Sequence, residues 1–376
     1  MSRPKRILQI IHRMGRGGIE TWLMNVLRNI DSERFHLDFL VYTTEQAAFD
    51  QEIESLGSRI LRCPHPSQLF ENIAILRQML SNAGPFDVIH AHGTSQIGLA
   101  LTLGAQAGIP IRIAHSHNSN IIRKRRIRNY IFSPISRGLM MKYMTHGLGC
   151  SEIACRELFG NKWQTNGKCQ PMYYGIDWVP FRTRYPSNQI RYELGIPQDA
   201  LVVGHTGRMV AQKNHSYWAQ IAKCISKQKN NAYFLIVGEG ELRETIKCMF
   251  NNLGLTNRTV FTGERADIPQ LLQAMDVFLF PSLYEGLGIA LLEAQAVGLP
   301  CVISDTIPTE AVILENQVFW MSLDDTPDQW AKCVLHASTY SQPLNHTEAW
   351  LRVSNSRFSL QRNIEDISSI YDNPVS

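Results

Sequence analysis

Two carboxylates eight positions apart, Glu285 and Glu293, stand in the stretch YEGLGIALLEA from Tyr284 to Ala294. Glu285 falls in a loop beside Gly286 and Gly288, and Glu293 about two turns into the helix that follows, at 3.6 residues per turn. Glycines let the backbone come close to a ligand, and a helix start offers unpaired N–H groups and a partial positive charge. A carboxylate in that position is suited to gripping sugar hydroxyls while the helix end faces phosphate. The plain alternative is a solvated strand-to-helix turn with two surface glutamates, a common feature of α/β proteins.

Cations recur at similar turns. GRMVAQKNH (Gly207–His215) carries Arg208 and Lys213 five positions apart, so a planar fork and a point charge can reach one diphosphate; alone it reads equally as a solvated basic loop. HRMGRGGIE (His12–Glu20) sets Gly15, Gly17 and Gly18 before a helix opened by Glu20, as in a phosphate-cradling turn. It lacks the Gly-x-Gly-x-x-Gly spacing of the dinucleotide fingerprint. In VGEGELRE, Gly238 and Gly240 can admit a ligand to the sheet edge, and in FTGERADIPQLL Arg265 can lie against a base; both also fit plain strand–helix loops. AHSHNSN places His115, His117 and Asn118 near a strand end, where a histidine can contact a hydroxyl or help move a proton. HAHG (90–93) is a second such pair. The His-x-His spacing also invites a metal reading, but a site would need a third ligand, usually with carboxylates nearby, and no Asp-x-Asp is present to hold a divalent ion, so no metal is expected. RKRRIRN packs Arg123, Lys124, Arg125, Arg126 and Arg128 together beside apolar residues. That is a solvated run, or a surface for anionic lipid headgroups. No stacking module accompanies it, so nucleic acid is not an expected partner.

The elements that must position these groups follow one rhythm. Short apolar runs alternate with helix-length segments: Ile7–Ile11, His36–Tyr42, Arg59–Leu61, Val88–Ala91, Pro110–Ala114 and Gly147–Cys150 in the first half. The second half continues with Leu201–Thr206, Tyr233–Val237, Val260–Thr262, Val277–Phe280, Pro300–Ser304 and Val318–Met321. Strands alternating with helices mean βαβ units and a mostly parallel sheet, with ligands beyond the carboxyl ends of the strands. A length of 376 residues fits two domains, with the seam between Asp177 and Asp199, where three prolines interrupt the pattern. Leu360, Ile364, Ile367 and Ile370 lie at helical spacing, which predicts a terminal amphipathic helix docked on one domain. With 44% hydrophobic and 19% charged residues, two cores are feasible. The net charge of +4 is too mild to imply a nucleic-acid partner. Eight scattered cysteines without a Cys-x-x-Cys pair read as reduced residues of a cytoplasmic protein. The N-terminal apolar run is too short for a signal peptide, and no run is long enough to span a bilayer.

Together these stretches resemble a retaining glycosyltransferase of family 4, of the capsule and exopolysaccharide type. The resemblance rests on GRGGIE, DVIHAHG, RIAHSHN, SEIACRELFG, YGIDWVPF, GRMVAQKNH, VGEGELRE, FTGERADI and, above all, YEGLGIALLEA, the family's Glu–seven residues–Glu signature. It implies the GT-B fold: two Rossmann-like doubly wound α/β domains facing across a cleft, with a C-terminal helix crossing back to the first. The boundaries become residues 1–180 for an acceptor-binding domain, 199–352 for a nucleotide-sugar-binding domain and 353–376 for that helix.

The resemblance also implies roles. Arg208 and Lys213 would bind the donor's diphosphate and stabilise the departing nucleotide. Glu285 would contact the donor sugar and Glu293 the ribose. Backbone around Gly286, Leu287, Gly288 and Ile289 would meet sugar and phosphate, with Gly17 and Gly18 approaching from the other domain. His117 or His115 would lie near the reacting sugar. Tyr174 departs from the family's usual Asn-Gly-Ile-Asp. The implied reaction is retaining transfer of a hexose from a nucleotide diphosphate sugar to a hydroxyl of a lipid-linked glycan, without cofactor or metal. It belongs to a cytoplasmic protein, peripheral at the inner membrane face through Arg123–Arg128. Rival readings are a nucleotide-sugar 2-epimerase on the same fold and a non-catalytic nucleotide-sugar-binding subunit.

Overall fold

The structure, a computed structural model, describes residues 3–63, 69–93, 97–117, 128–339 and 344–373. It divides into two compact units. One comprises Met1–Ile176 and Arg357–Ser376, the other Asp177–Ser356.

The first unit is built on seven strands: β1 (Lys5–Ile11), β2 (Phe35–Val41), β3 (Ile60–Arg62), β4 (Val88–His92), β5 (Ile111–Ser116), β6 (His146–Gly149) and β7 (Cys169–Pro171). Their spatial order is β3-β2-β1-β4-β5-β6-β7, every pairing parallel. Hydrophobic runs such as KRILQII are buried along nearly their whole length, as expected of a parallel sheet covered on both faces. Strand order reverses between β1 and β4, so the loops leaving their carboxyl ends diverge there and open a crevice.

The second unit has six strands: β8 (Leu201–Thr206), β9 (Ala232–Val237), β10 (Thr259–Gly263), β11 (Val277–Phe280), β12 (Cys301–Ser304) and β13 (Val318–Met321). They run β10-β9-β8-β11-β12-β13, again all parallel, and the reversal falls between β8 and β11. The core beneath includes Trp218, Phe234, Phe250 and Trp330.

The segment read as a connector after Asp177 is folded into the second unit. It forms a helix, Ser187–Glu193, that buries Ile190. Arg191 pins it by donating to the carbonyls of Ala274 (3.0 Å) and Ala200 (3.1 Å) and pairing with Asp276 at 2.9 Å. The C-terminal helix Leu360–Asp372 belongs to the first unit, burying Asn363, Ile367, Ile370 and Tyr371. Leu360 and Ile364 of the expected stripe are only partly covered. Among the described residues no helix is long and apolar enough to cross a membrane.

Candidate active site

In the second unit the loops after β8 and β11 leave neighbouring strand ends at the reversal point. Lys213 closes a short 3-10 turn, Ala211–Lys213, and Asn214 turns the chain through the left-handed region at φ 53° into the next helix. Lys213 Nζ donates to Glu285 Oε1 at 2.7 Å, with the two side chains 13% and 7% exposed. Gln212 Nε2 donates to the Tyr284 carbonyl (2.9 Å) and to Glu285 Oε2 (3.2 Å), and Leu283 N returns to the Gln212 carbonyl at 2.8 Å. The ammonium also lies 4.8 Å from the centroid of Phe280. The two loops are therefore stitched together by one buried cation–carboxylate pair. Arg208, five residues earlier, is exposed and has no ion pair among the described residues.

Helix Ile289–Ala296 starts after Gly288, whose φ of +96° suits glycine, and no side chain caps it. Glu293 is its fifth residue, closer to the N-terminus than the sequence spacing suggests. Desolvation pushes the Glu293 carboxyl up to about 7, and Lys213 acts in the opposite direction. Gly286 and Leu287 are buried between Glu285 and that helix start. Behind Lys213 stand two buried histidines with their ring centroids 4.9 Å apart. His205 donates from Nδ1 to the Leu279 carbonyl (3.1 Å), and His215 is held down to about 4 by burial and by Lys213.

Gly238 and Gly240 do admit something close, but it is protein backbone. A Cβ on Gly238 would lie 2.1 Å from the Gly207 carbonyl oxygen and one on Gly240 2.5 Å from that of Met209. Arg265 follows the edge strand β10 and forms a bidentate pair with Asp267 at 2.7 and 2.6 Å.

The first unit gathers four histidines. Register pairs His92 with His115 across β4 and β5. His90 Nε2 lies 3.0 Å from His115 Nδ1, and His92 Nδ1 lies 2.8 Å from His117 Nε2. His92 Nε2 reaches Gln9 Oε1 at 2.8 Å, His90 Nδ1 reaches the Tyr371 hydroxyl at 2.9 Å, and His117 Nδ1 reaches the Tyr174 hydroxyl at 2.6 Å. Trp22 packs edge-on against His90, His92 and His115. Burial pushes His90, His115 and His117 well below the usual imidazole range and His92 to about 3. His90, His92 and His115 offer nitrogens within 4.8 Å of one another. Most of those nitrogens already hydrogen-bond within the cluster, so an ion would have to displace those bonds.

Gly17 stands at the N-cap of helix Gly18–Asn29, which no side chain caps. Asn118, Arg123, Lys124, Arg125 and Arg126 lie outside the described residues, and Arg128 opens the helix Arg128–Tyr143. Sequence reasoning passed over Gln9, Gln212 and Tyr371. The available signals were a lone glutamine inside the apolar run KRILQII and a tyrosine directly after the helical stripe.

These are two doubly wound units, one with a cation–carboxylate pair at its strand reversal and the other with a buried histidine cluster. The model for group 1 glycosyl transferases matches residues 186–339, and that for the glycosyl transferase 4-like domain matches 17–143. A putative glycosyltransferase of Bacillus subtilis, EpsF, is 30% identical over 99% of this chain and 97% of its own length. An Escherichia coli galactosyltransferase named for transfer from UDP-Gal to GlcNAc-diphosphoundecaprenol is 30% identical over 63% of this chain and 64% of its own length. The crystal structure of Anabaena HepE with UDP and glucose superposes with a TM-score of 0.80, at 19% identity, over 98% of this chain and 99% of that one. The chain belongs to the glycosyltransferases with a 4-like N-terminal and a group 1 C-terminal domain, and its fold is GT-B.

Proposed function

We propose that this glycosyltransferase is retaining. It moves a hexose from a UDP-sugar to a hydroxyl of a lipid-linked glycan in cell-surface polysaccharide biosynthesis. The observation that carries the reading is the Lys213–Glu285 pair at the β8/β11 reversal, with Arg208, exposed and without an ion pair among the described residues, on the same loop. Arg208 and Lys213 take the diphosphate, Glu285 the sugar hydroxyls and Glu293 the ribose, while the N–H groups opening helix Ile289–Ala296 face negative charge. The acceptor oxygen attacks the anomeric carbon, the bond to the diphosphate breaks, and the departing phosphate oxygen takes the acceptor's proton. The protein positions both substrates and stabilises the leaving charge, with no metal required. The UDP preference draws support from the Anabaena complex, and the polyprenyl-linked acceptor from the E. coli relative's name.

Titration of the metal-free protein with UDP, GDP and ADP tests the donor half. UDP at a hundred times its dissociation constant should add about 2.7 kcal/mol of stability, and equal shifts for all three nucleotides would refute the base preference. At the membrane face, changing Arg123–Arg126 and Arg128 to serine should abolish binding to vesicles rich in anionic lipid; retained binding removes that basic run from the account.

A further inference from the structure

The four clustered histidines, His90, His92, His115 and His117, are joined in one hydrogen-bonded line, and the amide of Gln9 sets its direction. Gln9 Oε1 carries no hydrogen, so the 2.8 Å bond to His92 is donated by His92 Nε2. A neutral imidazole has a single N–H, and burial keeps these rings neutral. His92 Nδ1 is therefore bare, and the hydrogen of its bond to His117 sits on His117 Nε2. His117 Nδ1 is bare in turn and accepts from the Tyr174 hydroxyl. That phenol oxygen also hydrogen-bonds the Cys150 thiol. On the other side Gln9 Nε2 donates to the Tyr371 hydroxyl oxygen at 2.8 Å. Tyr371 then passes its hydrogen to His90 Nδ1, and His90 Nε2 donates to His115 Nδ1. His115 is left with its proton on Nε2, a buried atom without a partner among the described residues. With Gln9 Nε2 on the Tyr371 oxygen, running this arm backwards would leave two buried groups unpaired instead of one, the Tyr371 hydrogen and a bare His115 Nε2.

We propose that Gln9 and Tyr371 are positioning residues that fix all four histidines as Nε2–H tautomers and hold the Nε2–H of His115 for an oxygen of the bound substrate. Both nitrogens of His117 are committed within the line, so His115 is the ring with a hydrogen bond to offer. Fixed in this tautomer, its Nε2 can donate to a hydroxyl or phosphate oxygen but cannot accept a proton there. The substrate half of the inference rests on the glycosyl-transfer reading; the tautomer half does not.

Ring-nitrogen NMR of the histidine-labelled full chain without substrate tests the tautomer half alone. His90, His92, His115 and His117 should each show a single Nε2–H signature, with His205 as the internal opposite, Nδ1–H, because it donates to the Leu279 carbonyl. An Nδ1–H form or an averaged shift at any of the four overturns the proposal, and the parent spectrum decides this even if variants fold poorly. Tyr371→Phe should mix the tautomers of His90 and His115 while leaving His92 and His117 fixed; an unchanged His90–His115 pair would refute the role of Tyr371. The same variant should lower kcat/KM for transfer by about twofold or more, because only a fraction of molecules then presents the competent tautomer. A transfer rate equal to the parent's, with tautomers mixed, overturns the assignment of His115 to substrate while leaving glycosyl transfer itself standing.

Discussion

Lys213 answers to two anions, the Glu285 carboxylate it already holds at 2.7 Å and the diphosphate the reaction would bring. Both partners are nearly buried, so removing either one strands the other's charge at a cost of about 3 kcal/mol or more. Loss of transfer in Lys213→Ala alone would therefore confuse chemistry with folding. The paired replacement Lys213→Met with Glu285→Leu removes both charges. It should recover most of the stability measured in urea while transfer stays below detection; sugar transfer by the double variant would remove the pair from the mechanism. Glu293 shows the opposite tension. Its folded pKa of about 7 lies above the ordinary 4.5, so the native state binds the extra proton between those values and its stability falls as pH rises through that window. Glu293→Gln should therefore unfold at higher denaturant than the parent at pH 8, by up to about 3 kcal/mol, and show no such gain at pH 4. If Glu293 binds the ribose, the same variant should lose UDP affinity.

At the scale of elements, most strands were legible because parallel strands buried on both faces read as unbroken apolar runs. Val277–Phe280, Leu201–Thr206 and Val318–Met321 end where the sequence pattern ends. β7 (Cys169–Pro171) escaped notice, being three residues long and containing a proline. Of the second unit's candidate site, residue type and motif point to Arg208, Lys213, Glu285 and Glu293, and the structure joins Lys213 to Glu285. What lies against Gly238 and Gly240 is not legible there, because a glycine admits a ligand or a neighbouring loop with the same sequence signature. Least legible was Tyr371, since no local pattern tells that a helix near the chain's end supplies a hydroxyl to a strand near its start. That docking depends on Gly175, where a Cβ would lie 2.6 Å from the Asn363 Cβ and 3.0 Å from the Leu360 Cα. Asn363 in turn accepts from Trp22 Nε1 (2.7 Å) and donates to the Tyr173 carbonyl (2.6 Å). Gly175→Ala should push the helix away and cost about 1–3 kcal/mol, read as a lower urea midpoint with faster amide exchange across Leu360–Asp372. Unaltered exchange there would mean that the backbone absorbs the added methyl without moving the helix.

For the whole molecule, the distribution of buried histidines predicts which unit yields first to acid. His90, His92, His115 and His117 stay neutral in the folded first unit, with His92 held to about 3, whereas unfolded imidazoles protonate near 6.5. The unfolded chain therefore binds more protons below about pH 6.5, and each histidine takes away up to about 1.4 kcal/mol per pH unit until its folded pKa is reached. Among its described residues the second unit carries two buried histidines, His205 and His215, the latter at about 4, and a part-buried third, His346, that desolvation also lowers. It also has Glu293, whose protonation below about 7 favours the folded state and offsets part of that loss. As pH falls from 6.5 toward 4, the first unit should open before the second. Samples equilibrated across that range and then pulse-labelled with deuterium at one common pH would report each unit separately by mass spectrometry. Exchange should rise first in β1, β4, β5 and the C-terminal helix, which share the histidine cluster, and only at lower pH in β8 and β11. Simultaneous opening, or the second unit leading, would mean that carboxylate protonation rather than the buried imidazoles governs acid stability.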